Sequence, residues 1–137
     1  MSDKTNHTVL VGFGRVGKVV GNALIKAGTP LVVIDDQDKT AASLRERGVE
    51  AIAANAVTGL TAANLKAAHT LVIAIPDCFE AGQIVEQARK ANASLRIIAR
   101  AHSDAEEAYL KSYGATDVIQ GSRETADAIL SAWRSHD

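Results

Sequence analysis

Thr8-Val9-Leu10-Val11-Gly12-Phe13-Gly14-Arg15-Val16-Gly17 is the stretch that decides the fold. A short apolar run leads into three glycines at G-x-G-x-x-G spacing. Val16, Val19, Val20, Ala23, Leu24 and Ala27 then recur at i, i+3, i+4, i+7, i+8 and i+11, one face of an amphipathic helix. The order is therefore strand, tight turn, helix. Gly12 permits the turn, Gly14 leaves room for a ligand to approach the backbone, and Gly17 lets the helix pack closely on the strand. The positive helix end then faces an anion.

The same alternation continues to the end of the chain. Gly28 stands where a left-handed cap ends the first helix, and Pro30 prevents continuation. Leu31-Val32-Val33-Ile34 is the second strand. Asp38 caps a helix running to Arg47 and closed by Gly48, and Val49 to Ala54 is the third strand. A helix is expected over Thr61 to Ala68, and a strand over Leu71 to Ile75. Asp77 and Glu80 form a capping-box pattern before a helix with Ala81, Ile84, Val85 and Ala88 on its apolar stripe. Leu95 to Ala101 is the fifth strand. Ser103 and Glu106 form a second capping box, and Gly114 ends that helix. Thr116 to Ile119 is a sixth strand, and Ser122 caps a last helix carrying Ala126, Ile129, Leu130 and Trp133 on one face. Apolar strands joined by helices imply an α/β fold with a parallel sheet covered on both faces. Right-handed crossovers give a single doubly wound, Rossmann-type domain of six strands in the order 3-2-1-4-5-6, spanning residues 1–137 with its core over about 7–131.

Composition narrows the function. The 137 residues are 47% hydrophobic and 23% charged, with a net charge of −1, which is the balance of a folded soluble domain. Without a basic face the chain is not expected to bind nucleic acid. One cysteine, Cys78, excludes an internal disulfide and a multi-cysteine zinc site, and His7, His69, His102 and His136 lack ligand spacing. No apolar run reaches the roughly 20 residues that span a bilayer, and Met1 to His7 lacks the apolar core of a signal peptide. The expectation is a soluble cytoplasmic domain, stand-alone or cut from a larger membrane protein.

Asp35 closes the second strand, eighteen residues after Gly17. A carboxylate there accepts hydrogen bonds from a ribose hydroxyl and repels a 2′-phosphate, so NAD, AMP, ADP or ATP is favoured over NADP. Asn55 follows the third strand, either as a reader of the adenine amino group or as a plain turn residue. Arg15 is placed for phosphate contact or for solvent. Arg100, near the end of the fifth strand, is a candidate for an anion or for a neighbouring subunit. Asp36 and Asp38 read as solvated or capping residues, and Asp77 and Asp104 as caps. No catalytic set accompanies the glycine loop: there is no Walker A, no Gly-x-Ser-x-Gly and no Tyr-x-x-x-Lys pair. Asp77 and Glu80 beside Cys78 disfavour a reactive thiolate. His102 reads as a rim residue, and Trp133 as core or interface.

Taken in order, Gly12 to Gly17, Val32 to Asp35, Asn55-Ala56, Ile97 to Ala101 and Gly114-Ala115 resemble the RCK N-lobe, or TrkA-N, family over about residues 7–131. Ile75-Pro76, Glu80-Ala81-Gly82 and Ala99-Arg100-Ala101-His102 are similar to the cytoplasmic domains of Kef-type cation/proton antiporters within it. The resemblance implies a regulatory module rather than an enzyme. It implies binding of NAD(H) or of AMP, ADP or ATP, dimerisation, and control of a potassium or cation/proton antiporter at the cytoplasmic face of the inner membrane. The transmembrane domain would act in cis, absent from this chain, or in trans. Family nucleotide contacts fall on Gly12, Phe13, Gly14, Arg15, Val16, Asp35, Asn55 and Ala56. Where many relatives carry Gly-Asp-Ala-Thr, this chain has Ala54-Asn55-Ala56-Val57, which removes a charge at the adenine rim. The competing readings are an NAD-dependent oxidoreductase fragment, for which the length leaves no substrate domain, and a dimerisation scaffold that binds no nucleotide, against which the intact glycines and Asp35 speak.

Overall fold

Six parallel strands form one sheet in the order β3-β2-β1-β4-β5-β6. They are β1 (Thr8–Val11), β2 (Leu31–Asp35), β3 (Glu50–Ala53), β4 (Thr70–Ile73), β5 (Arg96–Ala101) and β6 (Asp117–Gln120). The helices between and after them are α1 (Arg15–Lys26), α2 (Asp38–Glu46), α3 (Ala56–Ala62), α4 (Cys78–Ala91), α5 (Asp104–Tyr113) and α6 (Gly121–Arg134), with a 3₁₀ turn at Leu65–Ala67. The computed structural model describes residues 2–135; His136 and the two chain ends of the expected domain lie outside it. The doubly wound order expected from the strand-helix alternation is the one found.

Alternate strand residues feed two cores. On one face Val9, Val11, Leu71, Ile73, Ile97 and Ala99 pack under α3, α4 and α5, where Ile84, Val85 and Leu110 have no solvent exposure. On the other face Leu10, Leu31, Val33 and Phe13 pack with Ala41 and Leu44 of α2 and with the half-buried Val20, Leu24 and Ile25 of α1. This second layer stops at β1. Over β4, β5 and β6 the same face has no helix, and Val72, Ile98, Arg100 and Ile119 line an open groove of about 240 Å³ with Val16 and Val20. The expectation of a sheet covered on both faces therefore holds for one face and for half of the other.

The helix ends follow local chemistry. Gly28, Gly48 and Gly114 all take positive φ, and in each case two backbone N–H groups return to the last turn: Gly28 to Ile25 and Thr29 to Leu24, for example, at 3.0 and 3.1 Å. Asp77 Oδ1 accepts from Glu80 N–H and Ser103 Oγ from Glu106 N–H, both at 3.1 Å. Glu106 does not close its box on Ser103. It reaches one residue further and accepts from His102 N–H at 2.8 Å.

Four expectations shift. Asp38 and Ser122 lie inside the first turns of α2 and α6, whose N-cap positions are Gln37 and Gln120 without side-chain caps. The helix expected over Thr61 to Ala68 starts earlier, at Ala56, because Asn55 caps it, and it breaks at Asn64, which takes the left-handed conformation that asparagine tolerates. The stripe expected to bury α1 is largely outside: Val19 is 71% exposed, while Gly17 and Gly21 are the buried residues. A Cβ on Gly21 would sit 2.5 Å from the Phe13 ring, so the glycines let α1 approach the loop on their side and rotate the valines outward. Finally, α6 buries none of its side chains, and Trp133 is 73% exposed.

Candidate functional site

The glycine loop leaves the C-terminal edge of β1 at Gly12, which lies between the two walls of a cleft of about 280 Å³. One wall is formed by the ends of β2 and β3, with Asp35, Asp36, Asn55 and Ala56. The other follows β4 and runs through Ile75, Pro76, Asp77 and Glu80. This is the edge where open α/β sheets receive ligands, at the switch in strand order between β1 and β4.

Each glycine has a distinct job. Gly12 has a φ of +94°, and a Cβ there would lie 2.9 Å from Ile75. A Cβ on Gly17 would overlap the Gly12 carbonyl oxygen, so α1 reaches the loop only without a side chain at that position. A Cβ on Gly14 would meet nothing within 4 Å, and Gly14, with φ of −81°, lies outside the left-handed region. The space in front of Gly14 is therefore free, which is what a ligand group at this helix end requires.

Gly14 is the N-cap of α1 and makes no side-chain cap hydrogen bond, and the first turn holds no acidic side chain. Among the described residues no backbone acceptor takes the N–H of Gly14, Arg15, Val16 or Gly17. Four donors thus converge at the positive end of a twelve-residue helix. Arg15 is exposed beside them and makes no hydrogen bond or ion pair among the described residues. Phe13 contributes differently from the sequence expectation of a direct contact. Its ring is buried against Gly21, and its N–H is already donated to Asp35 Oδ1 at 2.9 Å.

Asp35 also accepts from Gln37 N–H through Oδ2, at 3.0 Å. Both carboxylate oxygens are fixed by backbone donors, and each keeps a further lone pair for a ligand hydroxyl. The residue therefore holds the loop's shape as well as offering acceptors. Asn55 uses Oδ1 to cap α3, accepting from Thr58 N–H at 3.0 Å. That leaves its NH₂ as the free end, a donor suited to a ring nitrogen rather than an acceptor for an amino group. Ala56 is buried beneath the cleft wall.

Arg100 is separated from this cleft. It faces the open groove behind α1, where Nη1–H donates to the Ala74 carbonyl at 2.9 Å. His102 sits at the rim with Nε2 3.1 Å from the Pro76 carbonyl oxygen. Cys78, half-buried at the start of α4, has its thiol pushed up by burial and then by the charges of Glu106 and Asp77. Among the described residues no group of three His, Cys, Asp or Glu side chains is placed to hold a metal ion, and no helix is long and apolar enough to cross a membrane.

Sequence reading missed the second wall. The sequence places Asp77 and Glu80 in a helix cap beside Cys78, and the structure shows that both also line the cleft. The available signal was their place directly after β4, beside the strand-order switch.

Known proteins agree with this geometry. A putative cation/proton antiporter of Escherichia coli K12, YbaL, is 45% identical over 130 residues, covering 93% of this chain and 23% of its own length. The chain thus spans about a quarter of that curated relative. The crystal structure of the TrkA-N domain of the E. coli inner membrane protein YbaL is 44% identical, with a TM-score of 0.92 over 96% of this chain and 98% of that one. A Kef C-terminal domain from Shewanella denitrificans, solved in an AMP-bound form, is 29% identical, with a TM-score of 0.74 over 90% of this chain and 76% of that one. The TrkA-N family profile matches residues 8–121. With β1 to β6, the glycine loop and Asp35 all inside that span, this chain belongs to the TrkA-N domain family.

Proposed function

We propose that this domain is the nucleotide-sensing regulatory part of a potassium or cation/proton antiporter, lying at the cytoplasmic face of the membrane and performing no chemistry on its ligand. The observation that carries the reading is a loop with four unpartnered N–H groups at residues 14–17, held at Phe13 N–H by the Asp35 carboxylate, which itself lines the neighbouring cleft with Gly12. The donors take one phosphate, Asp35 takes ribose hydroxyls, and the free NH₂ of Asn55 meets the base. An adenine nucleotide without a 2′-phosphate, NAD(H) or AMP, ADP or ATP, satisfies this set. The AMP-bound Kef relative supports that class. Arg15 would add a charge contact at the phosphate, and Gly12, Val16 and Gly17 shape the cradle.

Regulation follows if the ligand favours one arrangement of subunits. A ligand shifts such an equilibrium only by its differential affinity for the two states, typically ~1–3 kcal/mol. The unburied apolar side of α6 and the open groove over β4–β6 give the domain surfaces for a homodimer. Val16 joins the two regions, since it follows the phosphate loop and lines the groove. Arg100, in that groove, belongs to this subunit-facing region rather than to the nucleotide.

Thermal unfolding with AMP, NAD and NADP, repeated on Gly14→Val, tests the site. Ligand at a hundred times its dissociation constant stabilises a single-site protein by about 2.7 kcal/mol. AMP or NAD should stabilise the wild type, and G14V should fold with unchanged circular dichroism but show no stabilisation. A folded G14V with full affinity would remove the proposed site.

A further inference from the structure

The chain enters the sheet through a strap, residues 2–7, that lies against the far end of α3. Ser2 N–H donates to the Ala62 carbonyl at 2.8 Å, and Asn6 N–H to the Ala67 carbonyl at 2.6 Å. Asn64, in its left-handed conformation, donates through Nδ2 to the Lys4 carbonyl at 2.9 Å. His69 N–H donates to the His7 carbonyl at 2.8 Å. The His7 ring is fully buried, with Nε2 2.8 Å from the Ala63 carbonyl oxygen, so Nε2 carries the hydrogen. Nδ1 is buried with no partner, and the ring is held by that one hydrogen bond.

The short helix α3 joins this strap to the cleft. Asn55 and Ala56 at its start line the cleft, and Ala63, its C-cap, accepts from His7. Leu60 is the one large side chain that α3 buries. Gly59 lies flat on Ile34, where a Cβ would sit 2.5 Å from Cγ2. A helix that meets its sheet mainly through glycine and alanine has few side chains to unlock when it slides, and small sliding of packed helices is an ordinary mode of closure around ligands.

We propose that the strap is a latch on the cleft. Docked, it fixes α3 with Asn55 and Ala56 in the binding position; released, it lets α3 slide and the cleft wall move. This rests on the nucleotide reading of the cleft and adds a means of regulating it. The apparent affinity for a nucleotide is the intrinsic affinity reduced by the fraction of molecules with the strap docked. Linkage makes the effect reciprocal: a bound nucleotide holds the strap down as strongly as the strap favours the nucleotide.

The test combines amide hydrogen exchange with calorimetric titration of AMP and NAD, on the full chain. Two variants loosen the latch without touching a residue that lines the cleft. Asn64→Gly suits the positive φ and removes the bond to Lys4. His7→Phe keeps a buried ring and leaves the Ala63 carbonyl unpaired. In the wild type, AMP or NAD should slow exchange at the Asn6 and His69 amides. Both variants should exchange faster there and bind the nucleotide about threefold or more weakly, the scale on which remote groups modulate coupling. Leu110→Ala, a core truncation on α5 away from the strap, should bind with unchanged affinity. A folded N64G with a faster-exchanging strap and full nucleotide affinity would overturn the latch, as would exchange at Asn6 and His69 that the nucleotide leaves untouched. An equal loss of affinity in L110A would also overturn it, since the loss would then report stability alone. No binding of either nucleotide to the wild type would instead overturn the nucleotide reading itself, and the latch with it.

Discussion

The two faces of the sheet differ in how far they are finished. Under α3, α4 and α5 the strand side chains join one continuous core, and Leu71, Ile84, Ile97 and Leu110 are fully enclosed. On the opposite face α1 and α2 cover β1 to β3 only, and Val72, Ile98 and Ile119 border open space. The finished face is where stability resides. The unfinished one borders the glycine loop at Val16 and reaches the start of α6 at Gly121.

That contrast predicts unequal responses to truncation. Ile84→Ala, on the enclosed face, should cost about 2–5 kcal/mol in urea unfolding, because the cavity cannot be filled from solvent. An effect below 1 kcal/mol would show that the enclosed face is less rigid than described. Trp133→Ala, on α6, should leave the unfolding free energy of dilute protein unchanged but weaken self-association by about 2 kcal/mol or more, the scale of an aromatic hot spot. Light scattering at tens of micromolar should show a dimer for the wild type and a monomer for W133A. A monomeric wild type would remove the dimer.

Smaller effects sharpen the boundary between the faces. Val19→Ser, on the exposed side of α1, should stay within about 0.5 kcal/mol of wild type in the monomer. If it destabilises dilute protein as much as a core change, α1 is packed differently from the arrangement seen here. The mildest prediction lies where α6 departs. Buried Gln120 donates through Nε2 to Asp104 at 2.7 Å and to Glu107 at 2.9 Å, tying the end of β6 to α5. The Gln120 hydrogen bond, with a second from Lys111, holds the Glu107 carboxyl below the usual carboxylate range. Its ionised form is therefore the stabilising one. The contribution is present above the unfolded-state value near ~4.3 and is lost as pH falls through the lower folded value. Stability curves of wild type and E107Q should differ slightly at neutral pH and converge in acid; a gap that persists unchanged at low pH would contradict the assignment.

Much of the fold and part of the site were legible in the residues. The glycine loop, Asp35 and the strand order follow from patterns whose physics is local or combinatorial: a turn that needs positive φ, a helix that needs an end, a crossover that needs a hand. Asp77 as a cap was legible for the same reason. Its second role as a cleft wall was not, because that depends on how far β4 runs before α4 begins. Nor was Arg89 marked by any pattern, yet its guanidinium donates to the Leu95 and Gly114 carbonyls at 2.7 and 2.6 Å and ties α4 to the loops before β5 and β6.

The sequence by itself determined the order of the elements, the glycine-closed ends of α1, α2 and α5 and the caps at Asp77 and Ser103, since caps, glycine turns and hydrophobic period act over a few residues. The tertiary structure alone decided which side of α1 is buried, that Arg100 looks into the groove and not the cleft, that Asn55 presents its NH₂ end, and that α6 stands free of its own sheet. An apolar stripe states only that a side chain prefers to leave water. Which surface receives it depends on the close approach that Gly17 and Gly21 allow and on what else competes for the same face, and neither is encoded within one helical turn.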